Sequence, residues 1–400
     1  MNQSPLFADL TTIRVGGAIA RFVEPTSRVG FIEAVEDADS AQVPLCVIGG
    51  GSNLLASDAD FDGVVVRDGR RDINVLDQAA PREGDELSVH VNAAAGAHWD
   101  DFVDFCVRMG LQGVEGLSGI PGTVGASVVQ NIGAYGQEVG TCVESVEVWD
   151  RREKKVVNFT ADLMNFGYRT SALKSSMYKA PGVAAADFFP TPRYVVLSVT
   201  FVLQHSAVGT VRFGQLATAL HVDVGASMDI ASIRAAVVKV RAAKAMLEDP
   251  GRYANPWMRS TVAHPDAAKV GDMGALADAS VMQDRWSCGS FFINPVLTQA
   301  RAQALPELAP RFNARASDGT AGVKTSAAWL IDHAGFHKGY PLTQDPAAPA
   351  ALSTRHTLAL TNRGAARARD IVELAHTVQD GVEGAFGIRL IPEPVFLGLS

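Results

Sequence analysis

The sequence predicts an α+β fold of two or three domains, in which a glycine-rich first half precedes a different C-terminal region. Its 400 residues exceed one domain of about 150 residues. Short strand-like runs alternate with helical segments up to about residue 205, where the composition changes. Glycine supplies 37 residues and is concentrated in two segments of the first half. That clustering is the feature that any functional prediction has to explain.

Composition and charge argue against several classes of protein. The formal net charge of −8 is unlike that of a basic nucleic-acid-binding chain. No run of about 18 apolar residues occurs, so we expect no helix that spans a membrane. Met1–Leu10 lacks the cationic and apolar regions of a secretory signal. The four cysteines form no CxxC pair, which indicates buried free thiols and predicts a cytoplasmic protein.

The only histidine pair with metal-binding spacing is His333 and His337. Gly335 lies between them, no glutamate follows His333, and no cysteine is near. Because zinc sites need three or four nitrogen, sulfur or carboxylate ligands, we expect no metal site.

Hydrophobic periodicity predicts the elements of the first half. Helical spacing predicts helices over Arg28–Ser40 and Trp99–Met109, the second ending at Gly110, and a helical turn over Ala161–Asn165. Alternating or apolar runs predict strands at Ala20–Val23, Leu45–Ile48, Gly63–Arg67, 87–95, Val143–Trp149, Lys155–Phe159 and Tyr194–Leu203.

The C-terminal half opens with a long Ala-rich, cationic helix that is predicted over Ile230–Glu248. Residues 249–285 are rich in turn residues and weakly patterned, which predicts a loop. Further helices are predicted at Thr298–Leu305, Ala327–His333 and Ala368–Phe386, and strands at Phe291–Phe292, Thr357–Leu360 and Arg389–Ile391.

The first glycine segment, Gly49–Asn53, follows an apolar run. Glycine permits positive φ and lets backbone N–H groups approach an anion closely. A Rossmann fingerprint has weak support because Leu54 occupies its third glycine position. A Walker A motif is excluded because Gly-Lys-Ser/Thr is absent. Taken alone, this segment is also compatible with an ordinary tight turn.

The second segment, Gly116–Gly136, carries a glycine at every third position from Gly116 to Gly125, and Pro121 stiffens it. A chain with so few side chains is costly to order. A large planar or pyrophosphate ligand lying against the backbone would offset that cost, and an irregular packed loop is the alternative. Two such segments predict a dinucleotide site without a Rossmann fold.

Together with Gln130–Gly136, these segments resemble the UDP-N-acetylenolpyruvoylglucosamine reductase (MurB) family, and the similarity extends from about Thr11 to Gly398. The resemblance implies a two-part FAD-binding domain of the vanillyl-alcohol oxidase/p-cresol methylhydroxylase type and a C-terminal α+β substrate-binding domain. It also implies which residues bind FAD, namely Gly49, Gly50, Gly51, Ser52, Asn53, Ser118, Gly119, Ile120, Pro121, Gly122, Thr123, Gly125, Ala126, Asn131 and Gly133.

Three later motifs are similar to the family's catalytic segments. Arg169 follows Tyr168 in a Tyr-Arg-x-Ser pattern and is implied to bind a substrate carboxylate, which a guanidinium can contact bidentately. Ser290, in a Gly-Ser-Phe-Phe-x-Asn-Pro pattern, is implied to be the general acid, and no neighbouring histidine supports a hydrolase triad. Glu393 lies between two prolines. It is either exposed at the chain end or buried and functional, and a buried, unpaired carboxylate could donate a hydrogen bond.

The implied substrate is UDP-N-acetylglucosamine enolpyruvate, and NADPH is the implied hydride donor. The diphosphate of this UDP-sugar needs cationic and amide partners. The resemblance implies that these are Lys244, which lies in an Arg-x-x-Lys pattern, and Asn294. A solvated helix face is the alternative for Lys244. The other implied substrate contacts are Tyr135, Tyr168 and either His356 or Arg355.

Two features depart from the family pattern. Phe213 stands where the family has a tyrosine, so either its hydroxyl is lost or another residue such as Tyr253 replaces it. The stretch 249–285 is longer than in most members. It is a lid, a partner surface or an inert insertion, and inert insertion is the default interpretation.

The predicted architecture has three parts: 1–69 with the terminal strand 391–400, 70–228, and 229–390. We expect a monomer. Two other functions stay open from the residues alone, a related FAD oxidase or dehydrogenase with another substrate, and a nucleotide-sugar-binding protein without redox activity.

Overall fold

The computed structural model describes residues 4–77, 87–177, 190, 192–259, 261, 279–315, 320–345 and 347–399. Part of the stretch predicted as a loop over 249–285, namely 260 and 262–278, therefore lies outside the described residues. No helix of the described residues combines the length and apolar composition that crossing a membrane requires.

Helices and strands alternate along the described chain, which confirms the α+β class. The helices are α1 (Phe7–Leu10), α2 (Arg28–Ser40), α3 (Trp99–Arg108), α4 (Val124–Gln130), α5 (Ala161–Met164), α6 (Ala172–Ser175), α7 (Gly214–Leu220), α8 (Ile230–Ala243), α9 (Ala279–Asp284), α10 (Gln299–Gln303), α11 (Ala327–His333) and α12 (Ala368–Phe386). Short 3₁₀ helices are formed by Glu115–Leu117, Val139–Thr141 and Pro250–Ala254. The strands are β1 (Ile19–Val23), β2 (Leu45–Val47), β3 (Leu54–Ala56), β4 (Phe61–Val66), β5 (Ile73–Val75), β6 (Ser88–Ala94), β7 (Leu111–Gln112), β8 (Gly133–Ala134), β9 (Gln137–Glu138), β10 (Val143–Asp150), β11 (Lys155–Thr160), β12 (Tyr194–His205), β13 (Val208–Thr210), β14 (Ser227–Asp229), β15 (Val296–Leu297), β16 (Phe312–Arg315), β17 (Ala321–Lys324), β18 (Ala350–Leu352), β19 (Leu360–Asn362) and β20 (Val395–Leu397).

The first sheet presents the first glycine segment. Strands β1, β4 and β2 are parallel in the order β1-β4-β2, and α2 buries Phe31 and Val35 against them. After β2 the chain passes through Gly49–Asn53 and returns as β3, which pairs in parallel with β20. Because Glu393 lies two residues before β20, this pairing brings it beside the first glycine segment.

The second sheet supports the second glycine segment. It is antiparallel in the order β11-β10-β12-β6-β5, and its core includes Trp99 and Phe102 from α3 and Phe201 from β12. The Phe102 and Phe201 rings lie 4.5 Å apart between centroids. Thr123 caps α4, since its Oγ1 accepts a hydrogen bond from Ala126 N at 3.4 Å. The cap fixes where α4 begins within the second glycine segment.

The C-terminal region packs α11 and α12 against two small antiparallel sheets, β15-β17-β16 and β18-β19. Phe291 and Phe292 follow Ser290 and are almost fully buried in this core. Their burial anchors the segment that carries the serine.

Most predicted elements are confirmed, and α2, α11 and α12 have the predicted bounds. The predicted helix Ile230–Glu248 is too long, because Ala245 adopts a φ of 55°, a left-handed conformation that cannot continue a helix. The loop prediction for 249–285 is wrong at both described ends, where Pro250–Ala254 forms a 3₁₀ helix and α9 begins at Ala279.

Three strand predictions in the C-terminal region also need correction. Arg389–Ile391 forms no strand, because the Leu390 carbonyl accepts its hydrogen bond from the Gln379 side chain at 2.7 Å. Phe291–Phe292 contributes a single bridge, from Phe292 to Pro392. The strand predicted over Thr357–Leu360 begins only at Leu360.

Candidate active site

A cavity of about 500 Å³ lies where the two glycine segments, the end of α8 and the Ser290 segment converge. Its lining divides into two chemically different parts. Backbone from the glycine segments, Gly49–Asn53 and Ile120–Ala126, forms one part, which we call the backbone wall. Polar side chains from distant segments form the other, which we call the side-chain wall, and these are Arg169, Lys244, Ser290, His356 and Glu393.

The two segments of the backbone wall touch each other. Ser52 Oγ donates a hydrogen bond to the Pro121 carbonyl at 2.9 Å. A Cβ atom on Gly50 would lie 2.7 Å from Gly122 Cα, closer than real Cβ atoms come. A side chain at Gly50 would therefore push the two segments apart, which explains why glycine is needed there.

The first segment offers a row of unused donors. Among the described residues, none accepts a hydrogen bond from the backbone N–H groups of Gly49–Asn53, although these residues line the cavity. Buried or half-buried N–H groups are normally paired. Successive free N–H groups around a left-handed glycine, here Gly51 with φ +66°, form a concave anion site. This cradle fits the pyrophosphate of a dinucleotide.

Arg169 and Glu393 form an ion pair across the cavity. Arg169 Nε lies 3.1 Å from Glu393 Oε1, and both side chains are mostly buried. Gln130 Nε2 donates to the same carboxylate oxygen at 3.1 Å, and Lys174 Nζ donates to Gln130 Oε1 at 2.6 Å. Burial lowers the pKa of Lys174. Of the two alternatives for Glu393, the exposed one is wrong, and the buried carboxylate is paired with Arg169 and Gln130.

Ser290 has a histidine neighbour that local sequence does not reveal. Its Oγ lies 3.5 Å from His356 Nε2, although the two residues are 66 positions apart. Burial, and next the nearby charges of Lys244, Lys338 and Arg241, lower the pKa of His356 to about 4. The imidazole is thus neutral near pH 7, and in the tautomer protonated at Nε2 it can donate a hydrogen bond to the serine oxygen.

The end of α8 places cations at one side of the cavity. Lys244 Nζ donates to Gln215 Oε1 at 2.7 Å, and burial lowers the pKa of Lys244. Arg241 is buried and donates from Nε to the Gly119 carbonyl at 3.1 Å, which ties α8 to the second glycine segment. The solvated helix face considered for this motif is wrong for Arg241.

Two matches in sequence cover most of the chain. Residues 18–159 match an FAD binding domain, and residues 281–397 match the C-terminal domain of UDP-N-acetylenolpyruvoylglucosamine reductase. Over 98% of its length, the chain is 40% identical to the UDP-N-acetylenolpyruvoylglucosamine reductase of Cutibacterium acnes, of which it covers 89%. The chain is also 39% identical to the UDP-N-acetylenolpyruvoylglucosamine reductase of Thermobifida fusca, in an alignment that covers 98% of this chain and 97% of that protein. The chain belongs to the UDP-N-acetylenolpyruvoylglucosamine reductase family.

A solved member of the reductase family shares the fold. The reductase from Thermus caldophilus aligns with a TM-score of 0.56 and 22% identity, over 98% of this chain and 97% of that one. The predicted cofactor, FAD, and the enzyme class, an oxidoreductase, are confirmed by these matches. The free N–H groups of the backbone wall fit FAD independently of them.

Five residues that the reductase resemblance assigned to the site lie outside the cavity lining. Asn294 Oδ1 accepts a hydrogen bond from Ala327 N at 2.9 Å and so caps α11. Tyr168 hydrogen-bonds with Asn294 and stacks under Arg169, whose guanidinium lies 5.1 Å from its ring centroid. The others are Ser118, Gly119 and Asn131, which support the second glycine segment.

Tyr253 does not replace the hydroxyl that Phe213 lacks, because the Tyr253 hydroxyl has another partner. That hydroxyl donates to Glu248 at 2.7 Å, and Tyr253 is buried away from the cavity. Phe213 is 45% exposed and its ring meets the Tyr135 ring edge-on at 5.8 Å. Both aromatic residues line the cavity mouth beside Lys244.

Sequence reasoning missed several lining residues. Gln130 lies in a glycine-rich motif whose pattern does not single it out. Arg241 lines the cavity as well as Lys244, and the Arg-x-x-Lys spacing indicates both of these cations. Arg67 and Trp99 gave no signal, because an arginine and a tryptophan in ordinary elements do not reveal which face they occupy.

In the described part of the chain, no three His, Cys, Asp or Glu side chains form a group that could hold a metal ion.

Proposed function

We propose that this protein reduces the enolpyruvyl ether of UDP-N-acetylglucosamine enolpyruvate to UDP-N-acetylmuramate, with NADPH as the hydride donor. The observation that supports this most is the side-chain wall itself. An arginine that could bind a carboxylate and a serine that could donate a proton line the same cavity as the FAD cradle. A generic FAD oxidase does not need that pair, whereas a reductase of an unsaturated carboxylate does.

Bound FAD would supply the redox step, taking hydride from NADPH and passing it from N5 to C3 of the enolpyruvyl group. The protein's side chains then have to handle the charge that develops when C3 gains hydride. Negative charge at C2 delocalises into the substrate carboxylate, so a fixed cation beside that carboxylate stabilises the transition state.

Arg169 is the proposed carboxylate ligand. Its guanidinium is already fixed by Glu393 at 3.1 Å and by the Gly133 carbonyl at 2.6 Å, so little reorganisation is needed. A substrate carboxylate that binds Arg169 would lie near Glu393, which we propose acts together with Arg169 on the charge that develops.

Ser290 is the proposed acid that protonates C2. A serine hydroxyl is a weak acid, so a neighbouring donor that stabilises the oxygen left after proton transfer matters. The proposal is supported by the 3.5 Å approach of neutral His356. After the transfer, the serine recovers its proton from solvent.

Lys244 is the proposed partner of the substrate diphosphate, with Arg241 behind it. The support is their position beside Tyr135 and Phe213 at the mouth of the cavity. His356, for which a diphosphate contact was also considered, is assigned here to Ser290 because its Nε2 faces that hydroxyl.

The test is NADPH oxidation by the purified yellow protein with and without UDP-N-acetylglucosamine enolpyruvate. We expect substrate-dependent oxidation and formation of UDP-N-acetylmuramate in equal amounts. Oxidation by oxygen alone, with no response to the substrate, would instead support the FAD oxidase. A colourless protein without a flavin spectrum would support the nucleotide-sugar-binding alternative.

A further inference from the structure

The segment from Glu248 to Met258, at the start of the stretch interpreted as an inert insertion, is built into the back of the FAD cradle. Asp249 caps its 3₁₀ helix by accepting from Gly251 N at 2.8 Å. Arg252, Tyr253 and Met258 are buried. An inert surface insertion would not bury an arginine.

Arg252 binds the carbonyl side of the first glycine segment. Its Nη2 donates to the Leu10 carbonyl at 2.7 Å and to the Gly50 carbonyl at 3.0 Å. A single planar guanidinium group thereby links the N-terminal helix α1 to the loop whose N–H groups line the cavity.

Because of the geometry of a trans peptide, this contact sets the direction of a backbone N–H group in the cradle. In a trans peptide the C=O and the following N–H point in opposite directions, and no cis peptide occurs among the described residues. Holding the Gly50 carbonyl from behind therefore aims the Gly51 N–H toward the cavity. Thr12 N donates to the Gly51 carbonyl at 3.1 Å, which aims the Ser52 N–H the same way.

Arg252 is itself held in place. It pairs with Glu248, whose other oxygen accepts from the Tyr253 hydroxyl at 2.7 Å and lies 3.5 Å from His98 Nε2. Burial, despite nearby Tyr253, lowers the pKa of Arg252 to about 10, so it stays protonated near pH 7.

A second contact reaches another part of the cavity. Arg67, which lines the cavity, donates to the Trp257 carbonyl and contacts Met258 Sδ at 3.1 Å. The Trp257 ring packs edge-on against Phe22 of β1 at 5.7 Å. The segment is thus fixed to the first sheet on both sides of the glycine loop.

We propose that Arg252 is a positioning residue for FAD, which holds the Gly50–Gly51 peptide so that the Gly51 N–H group meets the pyrophosphate. The inference rests on the FAD assignment and not on the identity of the substrate. Its failure would therefore leave the proposed reaction untouched.

The test compares FAD with riboflavin, which lacks the pyrophosphate, on the apo-protein of Arg252→Met. Affinities are measured by quenching of flavin fluorescence, and the unfolding temperature of each apo-protein is recorded. Arg259→Met is the matched control, because Arg259 lies in the same segment but is exposed. We expect the ratio of FAD to riboflavin affinity to fall at least about tenfold in Arg252→Met, as for loss of charge-assisted hydrogen bonds, and to stay unchanged in the control.

An equal loss of both affinities would overturn the proposal, since a merely structural role weakens the whole domain and leaves the ratio unchanged. An equal fall of the ratio in the control would overturn it as well, because charge alone would then be responsible. If Arg252→Met does not fold, Arg252→Lys is measured in the same way, since one ammonium group cannot reproduce the planar fork. An unchanged ratio, or failure to fold, in that variant would also contradict a positioning role.

Discussion

The backbone wall and the side-chain wall of the cavity recognise their ligands in opposite ways. The backbone wall uses N–H groups from two short stretches, and its glycines matter because of the atoms they lack. The side-chain wall uses charged and polar groups from five distant segments, and its residues matter because of the atoms they carry. Adding an atom should therefore damage the first wall, and removing one should damage the second.

The largest effect is expected from Arg169→Met, which removes the fixed cation of the side-chain wall. Loss of one preorganised charge-stabilising group costs on the order of 10²–10³ in rate. We expect kcat for substrate reduction to fall by that factor while FAD content stays the same. Arg169→Lys keeps the charge but not the bidentate geometry and should recover part of the rate. Loss of FAD in Arg169→Met would contradict the division between the walls.

A smaller effect is expected from Gly50→Ala, which adds one methyl group to the backbone wall. Its Cβ would lie 2.7 Å from Gly122 Cα, so the two glycine segments have to separate. We expect the dissociation constant of FAD to rise at least about tenfold, which is roughly 1.4 kcal/mol. Gly384→Ala in α12 is the control, since no atom lies within 4 Å of its added Cβ. Unchanged FAD binding in Gly50→Ala would refute the close approach of the two segments.

The pH dependence tests whether burial sets the charge of the side-chain wall. The pKa of His356 falls from 6.5 to about 4 in the folded protein. Between these values the unfolded chain binds the proton and the native one does not, so the free energy of unfolding decreases as pH falls from about 6.5 to about 4. His356→Gln should show a smaller decrease. The acid limb of kcat should have its midpoint near pH 4, and a midpoint near 6.5 would contradict the neutral imidazole.

The smallest effect is expected from Phe213→Tyr, which adds a hydroxyl at the cavity mouth. One hydrogen bond contributes about 0.5–1 kcal/mol, or about two- to fivefold in affinity. We expect KM for the UDP-sugar to fall by that factor and kcat to stay unchanged. A fall in kcat would show that Phe213 acts on the reacting end of the cavity instead.

The sequence predicts the local elements well where a side chain marks their ends. Helices α2 and α11 have the predicted bounds, because Ser27 and Ser326 cap them. The end of α8 was missed, because no proline or glycine marks the left-handed Ala245. Local patterns cannot reveal a backbone conformation that tertiary contacts impose.

The candidate site shows the same limit. The glycine segments can be recognised in the sequence, because glycine is clustered in them. The pairing of Arg169 with Glu393, and the approach of His356 to Ser290, join residues that are far apart in the chain. The burial of Arg252 behind Gly50 belongs to the same class, since a turn-rich composition gives no indication that packing buries this arginine.

The most direct test of the account is anaerobic half-reaction kinetics of Ser290→Ala. The variant keeps the backbone wall and Arg169, so NADPH should reduce the flavin at the wild-type rate. Reoxidation by UDP-N-acetylglucosamine enolpyruvate should slow by about 10²–10⁴, as expected for loss of a general acid. Reoxidation at the wild-type rate would show that Ser290 does not protonate the substrate and would contradict the assignment of the side-chain wall.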